Sequence, residues 1–361
     1  ASARKAVELF QISRDVEVHG VIALDQRAIT LLIRPLGPLQ VAGVDEPVTG
    51  QNVLQVARTA YAEGASADPN WWRHRKDVMG DVLDAALRRL RRGVTGDEMT
   101  ELARAGLTAL REKHLLLYLQ DPAAAAELHR LGWDGAIADP PGDYLMVVDS
   151  NVGFNKVNAA VEESLDYVVD LTDPAQIEAV LTVRHRHPVA GWRGPCSQEP
   201  RYGTTYEDMI RRCYYDYLRV YLPAQAQLLG AMPHPVPGSI LLSGERRSGQ
   251  AQVSRDETGK TVIATFLVLR PGESVETTFT YALPQDLLER AEGGWRYRLT
   301  VQKQPGTDGR PIRIALRLPN GADVVARHPP ADERRDGTLL YATDLRTDLQ
   351  LDLTWRRDGD R

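Results

Sequence analysis

From about Asn155 onward, apolar residues recur at every second position in short runs broken by Gly and Pro. Only a strand repeats its faces with a period of two, so this half of the chain is restricted to β structure. The runs "VEESLDYVVDL" and "IEAVLTVRHRH" flank the turn "TDPA". "TVIATFLVLR" and "SVETTFTYALP" flank "PGE", and "WRYRLTVQKQ" and "RPIRIALRLP" flank "PGTDG". Asp-Pro and Pro-Gly are turn formers, so each pair reads as a hairpin. "LLYATDLRTDLQLDLTW" adds alternation at Leu349, Leu351 and Leu353. Many short strands between Gly/Pro turns predict an antiparallel all-β sandwich over residues 155–361.

The first half changes period. "VEVHGVIALD" is a nearly continuous apolar run, as expected of a strand covered on both faces. "QRAITLLIRPLG" reads as a helix stopped by Pro35 and Gly37, and "PLQVA" as a second strand. Thr49 is placed to cap the next helix, and Asp68 with Pro69 to open another. Thr95 and Glu98 form a capping box. "HLLLYL" is a strand, Asp121-Pro122 starts a helix that Gly132 ends, and "DYLMVVD" is the last strand. Strands alternating with helices predict a layered α/β domain, α/β/α-like, over residues 1–154.

The chain has 361 residues, 43% of them apolar, which suits two cores better than one. Its net charge is −5, and both signs are mixed along it, so nucleic acid is not an expected partner. No run of 18 apolar residues is present, so this stretch holds no membrane span. The sequence starts inside a helical pattern without an initiator Met, which reads as a fragment of a longer, N-terminally extended domain. Only six of the 44 basic residues are Lys, a bias that composition explains more simply than function does.

Chemistry-bearing motifs are sparse. There is no GxSxG, GxGxxG, Walker loop, HExxH or paired CxxC, so no catalytic residue is assigned and no cofactor is expected. Cys196 and Cys213 are close enough in sequence for a disulfide closing a loop of about 17 residues, worth about 3 kcal/mol. Two separate thiols are the alternative. A disulfide would imply an oxidising compartment. His185 and His187 fall on one face of a predicted strand, a weak metal candidate lacking a third ligand, against which stands a solvated or stacked strand face. His114, His129 and His234 are the other histidines considered for that ligand. "DSNVGFNK" puts Asp149, Asn151, Asn155 and Lys156 in a polar loop between the two expected domains, off the end of a strand, where ligands of open α/β sheets bind. A plain linking turn is the alternative. "NWWRHRKD" sets Arg73, Arg75 and Lys76 at a helix start, where an anion such as phosphate would offset their clash with the helix dipole.

These segments together carry a resemblance. "HGVIALD…LLIRPLGPLQV", "VTGQNV", "RKDVMGDVL", "KHLLLYLQD", "LGWDG", "DYLMVVDSNVGFNK" and "DYLRVYLPAQAQLL", continued by "YALP" and "LTVQKQPGT", resemble a bacterial family of extracytoplasmic proteins known as domain of unknown function 4012. The resemblance implies a cell-surface location, an N-terminal membrane anchor preceding this stretch, and no assigned activity. More distantly, "HGVIALDQRAITLLIRPLGPLQV" and "RHRKDVMGDVL" are similar to LytR-CpsA-Psr enzymes, which transfer glycopolymers from a polyprenyl-pyrophosphate carrier to the cell wall. That likeness implies that Arg73 and Arg75 hold pyrophosphate with Lys76 beside them. Gly37-Pro38 stands where those enzymes carry a Gly-Gly turn. Two expectations result: a non-catalytic envelope module binding wall polymer or an envelope protein, or a phosphotransferase acting on lipid-linked glycopolymers.

Overall fold

The computed structural model describes residues 2–67, 77–191, 194–200, 205–255, 259–291 and 294–356, with the backbone alone for 61–67. The chain forms two compact units. One comprises Ala1–Ala138 with the short pieces Thr204–Tyr206 and Pro305–Thr307, and the other Asp139–Gly203, Glu207–Gln304 and Asp308–Arg361. Helices with a few strands thus precede a large, mainly antiparallel β region, the mixed organisation that the sequence predicts.

The first unit contains α1 (Ser2–Arg14), β1 (Gly20–Leu24), α2 (Gln26–Ile33), α3 (Val53–Ala67), α4 (Asp77–Arg91), α5 (Gly96–Arg111), β2 (Leu115–Leu119) and α6 (Pro122–Arg130). Three of its caps are those read from sequence. The Thr95 hydroxyl accepts from Glu98 N–H while the Glu98 carboxylate accepts from Thr95 N–H. Asp121 accepts from Ala124 N–H with Pro122 in the first turn. The Thr49 hydroxyl accepts from Asn52 N–H at 3.3 Å ahead of α3. Ile33, Leu36, Val48, Val53 and Val82 pack as the core. Its sheet is smaller than expected: β1 and β2 pair antiparallel as a two-stranded sheet. "PLQVA" contributes only the bridge Leu39–Val48. Ile22 is 68% exposed, although an apolar run predicts cover on both faces. Apolar content identifies the strand but not the number of its neighbours. The proposed cap Asp68–Pro69 lies outside the described residues.

The second unit is a sandwich. Its strands are β3 (Asp143–Val148), β4 (Glu162–Asp170), β5 (Ile177–Arg186), β6 (Tyr214–Leu222), β7 (Gln227–Ala231), β8 (Gln252–Ser254), β9 (Thr261–Leu269) and β10 (Ser274–Leu283). They continue with β11 (Leu288–Ala291), β12 (Gly294–Val301), β13 (Pro311–Arg317), β14 (Asp323–His328), β15 (Glu333–Arg335), β16 (Thr338–Asp344) and β17 (Leu349–Arg356). One sheet runs β15-β16-β13-β4-β5-β10-β7 and the other β14-β17-β12-β3-β6-β9-β8, with β11 alongside β12. Leu165, Leu181 and Ile314 of the first sheet meet Leu145, Leu218 and Leu299 of the second in one core. Burying each such side chain contributes about 1.5–3 kcal/mol.

Three expectations change here. "DYLMVVD" does not end the α/β half; as β3 it lies inside a sandwich sheet, parallel to β12, and the first stretch of the α/β unit ends at Ala138 rather than at Phe154. Gly142, at φ +94°, leads into it where a Cβ would stand 2.6 Å from the Arg298 carbonyl, so glycine lets β3 lie beside β12. The sandwich is not wholly antiparallel, because β4 and β13 also pair parallel. Finally, "TDPA" does join a hairpin, β4–β5, but "PGE" and "PGTDG" do not. Each carries the chain from one sheet to the other, β9 to β10 and β12 to β13. A short Gly/Pro turn reverses the chain in either case, and pairing with β5, β6 and β17 decides the outcome.

One carboxylate of the core is held by two tyrosines. Asp143 is fully buried and its Oδ2 accepts from the hydroxyls of Tyr167 (2.7 Å) and Tyr297 (2.5 Å), while Oδ1 accepts from Tyr144 N–H at 2.7 Å. Burial raises its pKa to about 6, against the lowering effect of these three donors. An unfolded Asp titrates near 3.9, so the folded state binds this proton more tightly. Asp143 therefore favours folding below pH 4, and that contribution, about 3 kcal/mol, is lost as pH rises to about 6. Asp143→Asn is expected to remove this loss: between pH 4.5 and 7.5 the unfolding free energy of the variant should fall less, or rise more, than that of the wild type. Urea denaturation at both pH values checks it, and identical pH dependences would refute it.

Candidate functional site

At one end of the sandwich, strand alternation delivers three ionisable side chains to the interior, and two more from strand-flanking positions join them. On β5, Ile177, Ala179, Leu181, Val183 and His185 form the inward row, and all are buried. On β4 the inward row is Leu165, Tyr167 and Val169, and Glu163 extends it by one position. On β6, Asp216 lies in the row of Tyr214, Leu218 and Val220. Asp149 follows the last residue of β3, and Arg310 precedes β13.

Arg310 joins them. Its Nε lies 2.7 Å from Glu163 Oε2, and one terminal nitrogen donates to Asp149 Oδ2 at 2.7 Å and to Gln304 Oε1 at 2.8 Å. Asp149 Oδ1 is 3.1 Å from His185 Nε2, and Asp216 Oδ2 is 4.0 Å from the same nitrogen. Asp216 Oδ1 accepts from Ser150 N–H (2.9 Å) and from the Tyr214 hydroxyl (3.2 Å). Glu163 Oε1 and Asp216 Oδ2 have no hydrogen-bond partner. Asp216 and His185 are fully enclosed, whereas Asp149, Glu163 and Arg310 keep a slight exposure of their side chains, 10%, 6% and 11%.

The electrostatics divide the three acids. Burial would raise Asp149, but the Arg310 guanidinium and His185 outweigh it and hold the carboxyl well below its usual range. Burial pushes Glu163 well up, since Arg310 only partly opposes it and Asp149 adds repulsion. Asp216 is pushed up by burial and then by Asp149. Burial disfavours the charge on Arg310, yet Glu163 and Asp149 raise its pKa. One carboxylate is therefore firmly ionised while two are held at high cost in the charged form.

The residues singled out by sequence fare differently. Asp149 and His185 come together. His187 is also buried, and its Nε2 lies 2.9 Å from the Arg212 carbonyl oxygen, so the pair sits on an interior face, not a solvated one. His114 pairs with Asp25 (2.6 Å), His129 with Asp134 (2.9 Å), and His234 with the Thr277 hydroxyl (2.8 Å). The loop Asp149–Lys156 is not interdomain, because it lies wholly within the sandwich unit. Asn151 donates to Asn155 Oδ1 and accepts from Gly153 N–H, and Asn155 donates to the Cys213 carbonyl. Lys156 is exposed, and its backbone N–H donates to Met209. These contacts describe a loop that holds itself in shape. Arg73, Arg75 and Lys76 lie outside the described residues. Cys196 and Cys213 do form a disulfide, with Cα atoms 5.5 Å apart, packed on Tyr215, Val236 and Phe266. Sequence reasoning missed Glu163, Asp216, Arg310 and Asp143. For the first two, the signal was an acid in an otherwise apolar alternating row.

Two open grooves lie on the outer sheet faces. The first, about 640 Å³, runs over β12, β14 and β17 and is lined by Arg296, Arg298, Arg327, His328 and Arg356, with Asp352. Arg296 is paired with Asp352 and Arg298 with Glu289. Arg327 and Arg356 make no ion pair among the described residues. The second groove, about 510 Å³, crosses β4, β13 and β16. There Arg313 pairs with Asp166, so its charges are internally compensated.

No family model matches the chain, and no curated protein matches it. Among solved structures, it is similar to a putative nutrient-binding protein from Legionella pneumophila (8% identity, TM-score 0.31, covering 59% of this chain and 71% of that one). An M1 zinc metallopeptidase from Deinococcus radiodurans is similar at 14% identity and TM-score 0.26, over 55% of this chain and 42% of that one. The Fcho1 Mu homology domain of Danio rerio, with a bound Eps15 peptide, is similar at 8% identity and TM-score 0.18, over 61% and 81%. At these TM-scores none carries functional weight.

The cluster makes a direct prediction. Arg310→Met keeps much of the side-chain volume but removes the cation facing Glu163 and Asp149. Stability at pH 7.5 should fall by about 3–5 kcal/mol, as for other broken buried pairs. Chemical denaturation measures it, and a loss below about 1 kcal/mol, the scale of an exposed pair, would show that the cluster is solvated.

Proposed function

We propose that this chain is a non-catalytic module of the bacterial cell envelope that binds an anionic wall polymer along the outer face of β12, β14 and β17. The observation that carries this reading is the first groove, where Arg and His outnumber acids on an open strand surface. A linear polyanion can lie across such a face and pair with the forks of Arg327 and Arg356, which make no ion pair among the described residues. Catalysis finds less support. Among the described residues, the ionisable cluster is enclosed within the sandwich and is engaged in pairing across its strands.

Location is part of the proposal. The disulfide fits an oxidising compartment. Among the described residues, no helix is long and apolar enough to cross a membrane. An extracytoplasmic site with an anchor elsewhere in the protein is what the resemblance to domain of unknown function 4012 adds. The phosphotransferase alternative rests on the LytR-CpsA-Psr likeness and on Arg73 and Arg75.

Cosedimentation with purified cell wall tests the proposal. The chain should be retained at low salt, released as salt screens the charges, and retained less on walls stripped of anionic polymer. Arg327→Ala with Arg356→Ala should weaken retention roughly tenfold, two exposed contacts at up to about 1 kcal/mol each. Retention no greater than that of an unrelated acidic protein would overturn it. A melting-temperature rise with polyprenyl pyrophosphate that Arg75→Ala abolishes would favour the transferase instead.

A further inference from the structure

We propose that Asp149, Glu163, Asp216 and His185 form a binding site for a first-row divalent cation, manganese or zinc, inside the sandwich. Three observations converge on it. First, one atom each from Asp149, Glu163 and His185 lie within 4.8 Å of one another. Asp216 Oδ2 adds a fourth, 4.0 Å from His185 Nε2, which is itself 3.1 Å from Asp149 Oδ1. Ligands bound tetrahedrally at 2.0–2.1 Å stand about 3.3–3.4 Å apart, so these separations need only small side-chain rotations.

Second, two of the four ligand atoms are left over by the protein's own hydrogen bonds, and the other two, Asp149 Oδ1 and His185 Nε2, face each other at 3.1 Å, a pairing that a cation between them would replace. Arg310 takes Glu163 Oε2 and Asp149 Oδ2, while Ser150 and Tyr214 take Asp216 Oδ1. Glu163 Oε1 and Asp216 Oδ2 remain buried and without a partner. An unsatisfied buried carboxylate oxygen is costly, and coordination removes that cost. His185 Nδ1 is buried without a partner whether or not an ion binds, so it does not bear on the choice.

Third, the charges balance. Three carboxylates against one guanidinium leave two negative charges in the interior, and a divalent cation neutralises them. Protons on Glu163 and Asp216 are the competing solution. An imidazole nitrogen with carboxylate oxygens suits manganese or zinc, whereas calcium and magnesium prefer all-oxygen sets. The slight exposure of Asp149 and Glu163 gives an ion a way in. Bound there, it would tie β4 and β5 of one sheet to β6 and the end of β3 in the other.

The chain is stripped with chelator and titrated with Mn²⁺ or Zn²⁺ at pH 7.5, with Mg²⁺ and Ca²⁺ as controls. Binding of one Mn²⁺ or Zn²⁺ per chain by calorimetry is expected, with a melting temperature several degrees higher. Asp216→Asn should weaken binding at least tenfold. If that variant misfolds, Mn²⁺ electron paramagnetic resonance on the wild type gives an independent readout: nitrogen hyperfine coupling, absent in His185→Gln. The proposal is overturned if neither ion binds at millimolar concentration. It is equally overturned if binding persists unchanged in folded Asp216→Asn, or if bound Mn²⁺ shows no nitrogen coupling. Wall-polymer retention is a separate readout on a different surface, so either idea can fail alone.

Discussion

The sandwich closes on a single guanidinium. Arg310 reaches Glu163 on β4, Asp149 beyond β3 and Gln304, and through Asp149 it touches His185 on β5. Those groups belong to both sheets. A hydrophobic core is non-directional and would tolerate sliding of one sheet over the other. Fixed donor positions on a planar guanidinium do not. Buried ion pairs often contribute little net stability, because desolvation offsets attraction, but breaking one strands its partners. The cluster therefore acts mainly on register: every strand that feeds it must present its inward row at the right height.

That constraint makes the topology intelligible. β3 runs into β4, and β12 into β13, and each step crosses from one sheet to the other. The two crossings lie side by side, because β3 pairs parallel with β12 and β4 pairs parallel with β13. Asp149 and Arg310 sit in these two connections, so their ion pair joins them where the chain changes sheet. A hairpin at "PGTDG" would have kept β12 and β13 in one sheet and separated Arg310 from Glu163.

Much of the fold was legible in the sequence, for local reasons. Caps at Thr95 and Asp121 and the stop at Gly132 depend on residues within one turn of helix. Alternation found the strands because it measures one side of a pleated surface. Pairing was not legible, since a Pro-Gly turn is compatible with a hairpin or an arch, and the choice rests on residues far along the chain. The placement of "DYLMVVD" failed for the same reason: Leu145 and Val147 look alike in any buried strand. Of the site, Asp149 and His185 were visible as polar residues near strand ends. Glu163 and Asp216 stood in plain alternation with apolar neighbours, and no sequence motif assigns them a role. Arg310 has no periodic signal, because it precedes its strand, and one Arg in an Arg-rich sequence does not stand out.

The Arg bias then separates into two physical roles. Inside, Arg310 is held by two carboxylates and has no freedom to meet a ligand. Outside, over β4, β5 and β13, Arg184, Arg186 and Arg313 are matched by Glu276, Glu162 and Asp166, which leaves that face nearly neutral. Over β12, β14 and β17 the described residues are less evenly matched: Asp352 faces a groove that also holds Arg327, His328 and Arg356. A chain of net charge −5 that concentrates cations on one open face keeps long-range repulsion from acidic surroundings while offering a local site for them. Binding there would depend on contact within a Debye length, about 8–10 Å at physiological salt, and so on a ligand that lies along the strands rather than one that only approaches them.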